Sequence, residues 1–346
     1  MVRSRSAFAL SVAVVLASSN ASFAQGERKL SDTEKKEIQA IIKMVDGPPT
    51  GQPTANDLGL TWVRNDLLKA QGNLQYSPFT VTVDTAKLSA KSLSLYWRVI
   101  SKAPVEAAAK EAAGKDDKKN DKKKGHPYED LSTIAITGKS GPTAISRSFT
   151  VPAGPYEVIV VAKEPPTKEK NAPAPKTAMI RQNVEVPDLW NGEFTTSTVI
   201  VAERIDPLAA PLTPQQQADR PYAMGAMEIV PAFGSKFTKG TELSTFMLIY
   251  NAKTDGANKP DVSVEYNFYT KQAGSEKFFN KTNPQSLNAQ TLPPQFDFAA
   301  GHQLQSGQAV PLGSFPEGDY RLEIKVTDKL ANKTLTREFS FTVSGS

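Results

Sequence analysis

An all-β protein of two tandem antiparallel β-sandwiches is what the sequence predicts, and three observations carry that prediction. From Tyr76 onward apolar side chains fall on every second position, in Phe79, Val81 and Val83 and again in Leu93, Leu95, Trp97 and Val99. A period of two marks a strand with one face in a core. The runs are short and are separated by proline, glycine and charged turns rather than by amphipathic helices, which favours antiparallel neighbours over βαβ units. The pattern also occurs twice, on either side of residues 206–219, a Pro-, Ala- and Gln-rich stretch with no apolar period.

The duplication is visible in detail. Residues 151–162 (VPAGPYEVIVVA) align without gaps to residues 315–326 (FPEGDYRLEIKV), so that Pro152, Gly154 and Tyr156 match Pro316, Gly318 and Tyr320 at a constant offset of 164. A Lys-Thr pair and one more strand follow each box. Upstream, residues 93–102 (LSLYWRVISK) resemble residues 243–253 (LSTFMLIYNAK) in the same relative place. Two copies of one β unit account for this order. Pro and Gly make the tight turn around the end of a sandwich. The Tyr at the strand start packs its ring inward while its hydroxyl reaches a backbone carbonyl, the corner device of immunoglobulin-like sandwiches, and Trp97 takes the place of a buried core tryptophan. Both tyrosines are therefore read as structural, and each sandwich as immunoglobulin-like. In the second copy Leu322, Ile324 and Val326 alternate with Arg321, Glu323 and Lys325. In the first copy Val158, Ile159, Val160 and Val161 are apolar on both faces, which predicts a second cover, with the amino-terminal helix as the candidate.

In chain order, residues 1–24 read as a signal peptide. Arg3 and Arg5 precede an apolar run over residues 7–17, and Ser22 and Ala24 supply small residues before a cleavage site between Ala24 and Gln25. The run is shorter than the roughly 20 residues that span a bilayer. A periplasmic or secreted mature chain without a transmembrane segment is expected. Residues 25–75 are expected to be helical or irregular. Ser31-Asp32-Thr33-Glu34 fits a capping box, Ile38, Ile41, Ile42 and Val45 form one helical stripe, and Gly47-Pro48-Pro49 ends it. A second short helix is expected over residues 62–70. Residues 76–205 form the first sandwich, with later strands at 131–137, 144–150, 156–162, 178–186 and 196–203. Residues 206–224 are the linker. Residues 225–346 form the second sandwich, with strands at 226–231, 243–251, 262–270, 309–312, 320–327 and 335–343.

The first sandwich carries an insertion at residues 103–127. Its Lys110, Lys115, Lys118, Lys119, Lys122, Lys123 and Lys124 are interleaved with Glu106, Glu111, Asp116, Asp117 and Asp121. Such a composition buries too little apolar area to order itself. With acids interleaved and no stacking aromatics, a solvated loop is favoured over an arm for anionic surfaces.

The 346 residues contain no cysteine and two histidines, His126 and His302. Disulfides, thiolate nucleophiles and Cys-based zinc sites are excluded, and a His-rich metal centre lacks imidazoles. No G-x-S-x-G, H-E-x-x-H, phosphate-cradling glycine loop or D-x-D-x-D-G loop is present. No catalytic, cofactor-binding or metal-ligating residue is assigned, no cofactor is expected, and His302 is read as a turn residue. The formal charge of +5 falls to +3 on loss of Arg3 and Arg5, because 39 bases then face 36 acids. That excess is too small to indicate specific nucleic-acid binding.

Residues 316–343 (PEGDYRLEIKVTDKLANKTLTREFSFTV), with residues 236–251 (KFTKGTELSTFMLIYN) upstream, resemble the carboxy-terminal immunoglobulin-like region of extracytoplasmic bacterial proteins, some of which carry a GWxTD domain and others a von Willebrand type A domain. The similarity covers about the last third of the chain and rests on the G-x-Y-x-L-x-I-x-V-x-D strand and the K-T strand after it. The G-W-x-T-D motif is missing, Gly59-Leu60-Thr61-Trp62 being its nearest trace, and so is a D-x-S-x-S motif. The resemblance implies a fold and a compartment but no activity. The expected role is a non-enzymatic interaction protein whose partner is another envelope or extracellular protein. Two other roles compete. One is a carbohydrate- or anionic-polymer-binding module using Trp190, Tyr222 or the lysine arm. The other is a hydrolase whose carboxylates meet only in the fold.

Overall fold

The structure, a computed structural model, describes residues 32–47, 55–103, 126–138, 140–166, 173–272 and 274–345. The signal-peptide region with Ala24 and Gln25, Ser31 of the capping box and the lysine arm lie outside the described residues. Strands dominate, as an all-β chain requires, and among the described residues no helix is long and apolar enough to cross a membrane. The chain divides into two compact units, Phe23–Trp190 with Ala218–Pro221, and Asn191–Gln217 with Tyr222–Ser346.

The amino-terminal unit contains helix α1 (Asp32–Asp46) and strands β1 (Thr61–Asn65), β2 (Leu68–Lys69), β3 (Gln75–Asp84), β4 (Ser92–Ser101), β5 (Tyr128–Ala135), β6 (Pro142–Val151), β7 (Gly154–Lys163) and β8 (Thr177–Val186). One sheet places β1 and β2 on one side of β3 and β6 on the other. The second runs β5-β4-β7-β8, with every pairing antiparallel. Phe79, Val81, Val83 and Phe149 of the first sheet meet Leu95, Trp97, Val99, Val158 and Val160 of the second in one core. Residues 218–221 join this unit through Asp219, 3.0 Å from the buried Arg147 guanidinium, and through the Pro221 carbonyl, which accepts the Tyr76 hydroxyl at 2.9 Å.

The carboxy-terminal unit contains β9 (Thr195–Thr196), β10 (Ile200–Pro207), α2 (Pro214–Asp219, with its last two residues in the other unit), β11 (Ala223–Met224), β12 (Met227–Pro231), β13 (Lys236–Thr238), β14 (Glu242–Tyr250), β15 (Val262–Gln272), β16 (Ser275–Lys281), β17 (Gln285–Leu287), β18 (Leu304–Pro311), β19 (Gly318–Asp328) and β20 (Lys333–Ser344). One sheet runs β11-β12-β10-β14-β18 and the other β13-β20-β19-β15-β16. Leu243, Met247 and Leu304 of the first pack with Tyr266, Phe268, Leu322, Ile324 and Phe341 of the second.

The two units share a strand order. In one, β1-β3-β6 faces β5-β4-β7-β8. In the other, β10-β14-β18 faces β16-β15-β19-β20. The counterpart of β4 is therefore β15, beside the Gly-x-Tyr strand, and the counterpart of β14 is β3. This corrects the expected match of residues 93–102 with 243–253. Both segments are apolar because both are central strands, yet they belong to different sheets.

Other expectations are corrected as well. Residues 62–70 form β1 and β2 rather than a helix, since Trp62 stacks on Phe79 at 5.0 Å and the backbone pairs with β3. The segment 25–75 thus supplies strands as well as its helix. The strand at 196–203, placed in the first sandwich by its position, hydrogen-bonds to β14 and continues against β12. The unit boundary falls at Trp190/Asn191 instead of residue 205. The linker expected at 206–224 contains the end of β10, α2 and β11. Helix α2 starts with a reciprocal cap, in which the Thr213 N–H donates to Gln216 Oε1 (3.0 Å) and the Gln216 N–H to Thr213 Oγ1 (3.3 Å).

Candidate functional site

The repeated boxes adopt one geometry. Gly154 and Gly318 both have φ 146°, a backbone setting that side chains disfavour. The Tyr156 hydroxyl donates to the Pro152 carbonyl at 3.0 Å, and the Tyr320 hydroxyl to the Pro316 carbonyl at 2.7 Å. Both rings are buried.

The correspondence extends to a pair of residues that sequence reasoning missed. Glu164 and Asp328 lie at the same offset of 164, at the far end of the Gly-x-Tyr strands, and both are buried. Glu164 accepts the backbone N–H groups of Ser89 (2.5 Å), Ala90 (3.3 Å) and Lys176 (3.0 Å). Asp328 accepts those of Lys253 (2.8 Å), Leu330 (3.0 Å) and Ala331 (3.0 Å). Each carboxylate thus ties the loop before the neighbouring central strand to the turn after its own. Burial pushes the Glu164 carboxyl up, but the three backbone donors and Lys176 outweigh it and hold it below the usual range. The signal was present in the alignment as an acid in each copy two residues past Ala162 and Val326.

A third arrangement belongs to the amino-terminal unit alone. The outer faces of β4 and β7 present Tyr96, Ile159 and Val161, and α1 covers them with Ile41 and Val45, flanked by Ile100, Leu131 and Met179. This cover explains why β7 is apolar on both faces. Polar contacts hold both ends of the helix. Ser94 Oγ donates to Glu37 Oε1 at 2.9 Å, with Lys163 Nζ 3.8 Å away. At the other end the buried Arg98 donates to Asp46 Oδ1 (2.5 Å), Glu129 Oε1 (3.0 Å) and the Tyr96 hydroxyl (2.7 Å). Tyr96 donates in turn to Glu129, whose other oxygen lies 2.8 Å from His126 Nε2. Burial raises the Glu129 carboxyl, yet hydrogen bonds from Tyr96, His126 and Arg98 prevail and hold it down at about 2. Burial, and next Glu129, push the Tyr96 phenol up.

The remaining sequence candidates are dispersed. Tyr222, offered as an exposed aromatic, is 3% exposed, which corrects that expectation because its ring is taken into packing. Trp190 is 41% exposed, but Lys69 Nζ sits 4.5 Å from its ring centroid and its indole N–H donates to the Leu74 carbonyl at 2.9 Å. Trp97 is buried and donates to the Ser148 carbonyl. His302 Nδ1 accepts the Asp297 N–H at 3.0 Å, which fixes a turn. Among the described residues no three His, Asp or Glu side chains gather as a metal-binding group.

No family model and no curated protein matches the chain. Among solved structures it is similar to trypsin-activated alpha-2-macroglobulin from Escherichia coli, at 10% identity and TM-score 0.22, over 85% of this chain and 17% of that one. It is also similar to red sea bream transglutaminase, at 9% identity and TM-score 0.21, over 92% of this chain and 34% of that one. The chain thus spans about a sixth to a third of those proteins. Likeness at this level assigns no activity.

Proposed function

We propose that the protein is a secreted or periplasmic, non-catalytic interaction protein built of two immunoglobulin-like modules. One observation carries the reading: the polar groups that recur in both copies of the repeat are spent on architecture. The tyrosine corner and the buried carboxylate recur at one offset, and in both units they fasten loops to strands. A corner tyrosine at the entry of the strand beside the central one is a feature of immunoglobulin-like sandwiches, and Trp97 supports the same assignment for the first module. Modules of this kind offer strand edges and end loops to partners. The signal-peptide layout of residues 1–24 supports export.

The test is a pull-down from the envelope fraction with the mature chain as bait. Recovery of one protein in stoichiometric amount supports the reading. Salt-sensitive retention on an anionic polymer, lost on deletion of residues 110–124 and without any protein partner, overturns it in favour of polymer binding.

A further inference from the structure

Strand β8 is the outer strand of its sheet, and β7 pairs with it in unbroken register over Thr177–Val186, with no bulge. On the opposite side the chain at residues 55–57 reaches only the first residues of the strand. The Asp57 N–H donates to the Thr177 carbonyl, Asn56 bridges Ala178, and the Met179 N–H donates to the Ala55 carbonyl. Among the described residues no strand pairs with residues 180–186 on that side. This stretch contains no proline. An edge of unbroken register, unpaired on this side among the described residues, is a template for a further strand.

The edge is complementary to itself. Read antiparallel about Asn183, Arg181 falls opposite Glu185, Ile180 opposite Val186, and Asn183 opposite its own copy. Arg181, Asn183 and Glu185 are exposed, while Val184 and Val186 belong to the core and Ile180 packs against it. This register keeps the exposed residues opposite exposed ones and sets Ile180 and the half-buried Gln182, on the core side, opposite Val186 and Val184, so that no side chain changes face. We propose that β8 pairs antiparallel with β8 of a second copy, with a two-fold axis at Asn183, joining two four-stranded sheets into one. In an isologous contact each pair occurs twice, so the dimer has two Arg–Glu pairs, and opposite charges facing across strands are favourable where like charges are not. The same charges disfavour strands that do not match them. The exposed Arg181 already lies 2.7 Å from Glu157 and would bridge two carboxylates. Strand β8 ends at Val186 before Pro187, so the register needs nothing of the segment held by residues 55–57.

This inference rests on the reading that strand edges are the interaction surface, and it names one partner for one edge. A strand edge alone is smaller than a standard interface of about 1,600 Å², so a concentration-dependent monomer–dimer equilibrium is expected. Sedimentation of the mature full chain over a wide concentration range reads it. Glu185→Arg and Arg181→Glu should each leave a monomer, and the double exchange R181E/E185R should restore the dimer, which no misfolded variant would do. Because the chain has no cysteine, Asn183→Cys gives a second readout. Directly opposed residues lie about 4.5–5.5 Å apart, within disulfide reach, so this variant should oxidise to a covalent dimer while Gln182→Cys should not. A monomer at every concentration, or a dimer indifferent to the charge reversals, overturns the proposal. Either result leaves the bait experiment, and a different partner, unaffected.

Discussion

Glu164 and Asp328 show how a single buried side chain can replace many weak loop contacts. Each collects three charge-assisted hydrogen bonds from loop backbone N–H groups. Removing such an acceptor costs about 1–3 kcal/mol. Glu164→Leu is therefore expected to lower the unfolding free energy of the amino-terminal unit by that amount, read as a lower urea midpoint at unchanged slope. The pH dependence follows from the same contacts. The folded Glu164 carboxyl lies below its ordinary 4.5, so its stabilisation is complete above that value and is lost as pH falls through the depressed one. The variant should show a correspondingly shallower acid loss of stability. At the corners, Tyr320→Phe keeps the ring against Phe341 (5.3 Å) and removes only the bond to Pro316, about 1 kcal/mol. A loss several times larger would mean that the hydroxyl does more than close the corner. The tyrosines were legible because turn and strand are adjacent in sequence. The carboxylates were not, because their partners at Ser89 and Lys253 come from distant segments.

Helix α1 is an element whose stability comes from what it covers. Its stripe of Ile41 and Val45 was readable from the helical period, and its need for a partner from the doubly apolar β7. The polar contacts at its two ends were not, because Arg98, Glu129 and Asp46 are far apart in sequence. Ile41→Ala removes a fully buried side chain, a loss of about 2–5 kcal/mol. That exceeds what a fifteen-residue helix retains by itself, so the variant should exchange its α1 amides freely while β4 and β7 stay protected in hydrogen-exchange experiments. Equal loss of protection across the sheet would show that the helix is integral to the core. Glu129, held at about 2, stays ionised against Arg98 at ordinary pH, and the stability this gives is complete above its ordinary 4.5 and lost as pH falls through the depressed value. Strands β1, β2 and β16 were illegible for a related reason. SEKFFNK in β16 is largely polar, and its place is fixed by backbone pairing with β15 rather than by its own pattern.

At the scale of the whole chain, alternation and the offset of 164 were enough to give two β units, because both are local or self-referential properties. They were not enough to place the boundary. Residues 199–202 are apolar like the strands that precede them, and nothing local says that β10 hydrogen-bonds forward to β14 and β12. The structure makes this strand indispensable to the carboxy-terminal unit. It stands between β12 and β14, so its removal severs β11 and β12 from the rest of their sheet. It also strips cover from the β14 edge, which contains the buried Phe246 and Leu248, and an uncovered apolar edge invites aggregation. A fragment of residues 191–346 is therefore expected to fold, with a single cooperative thermal transition and monomeric elution. A fragment beginning at residue 206, the boundary suggested by composition, is expected to melt without cooperativity or to aggregate at the same concentration. Equal behaviour of the two fragments in calorimetry would show that β10 is an accessory strand and would return the boundary to the proline-rich segment.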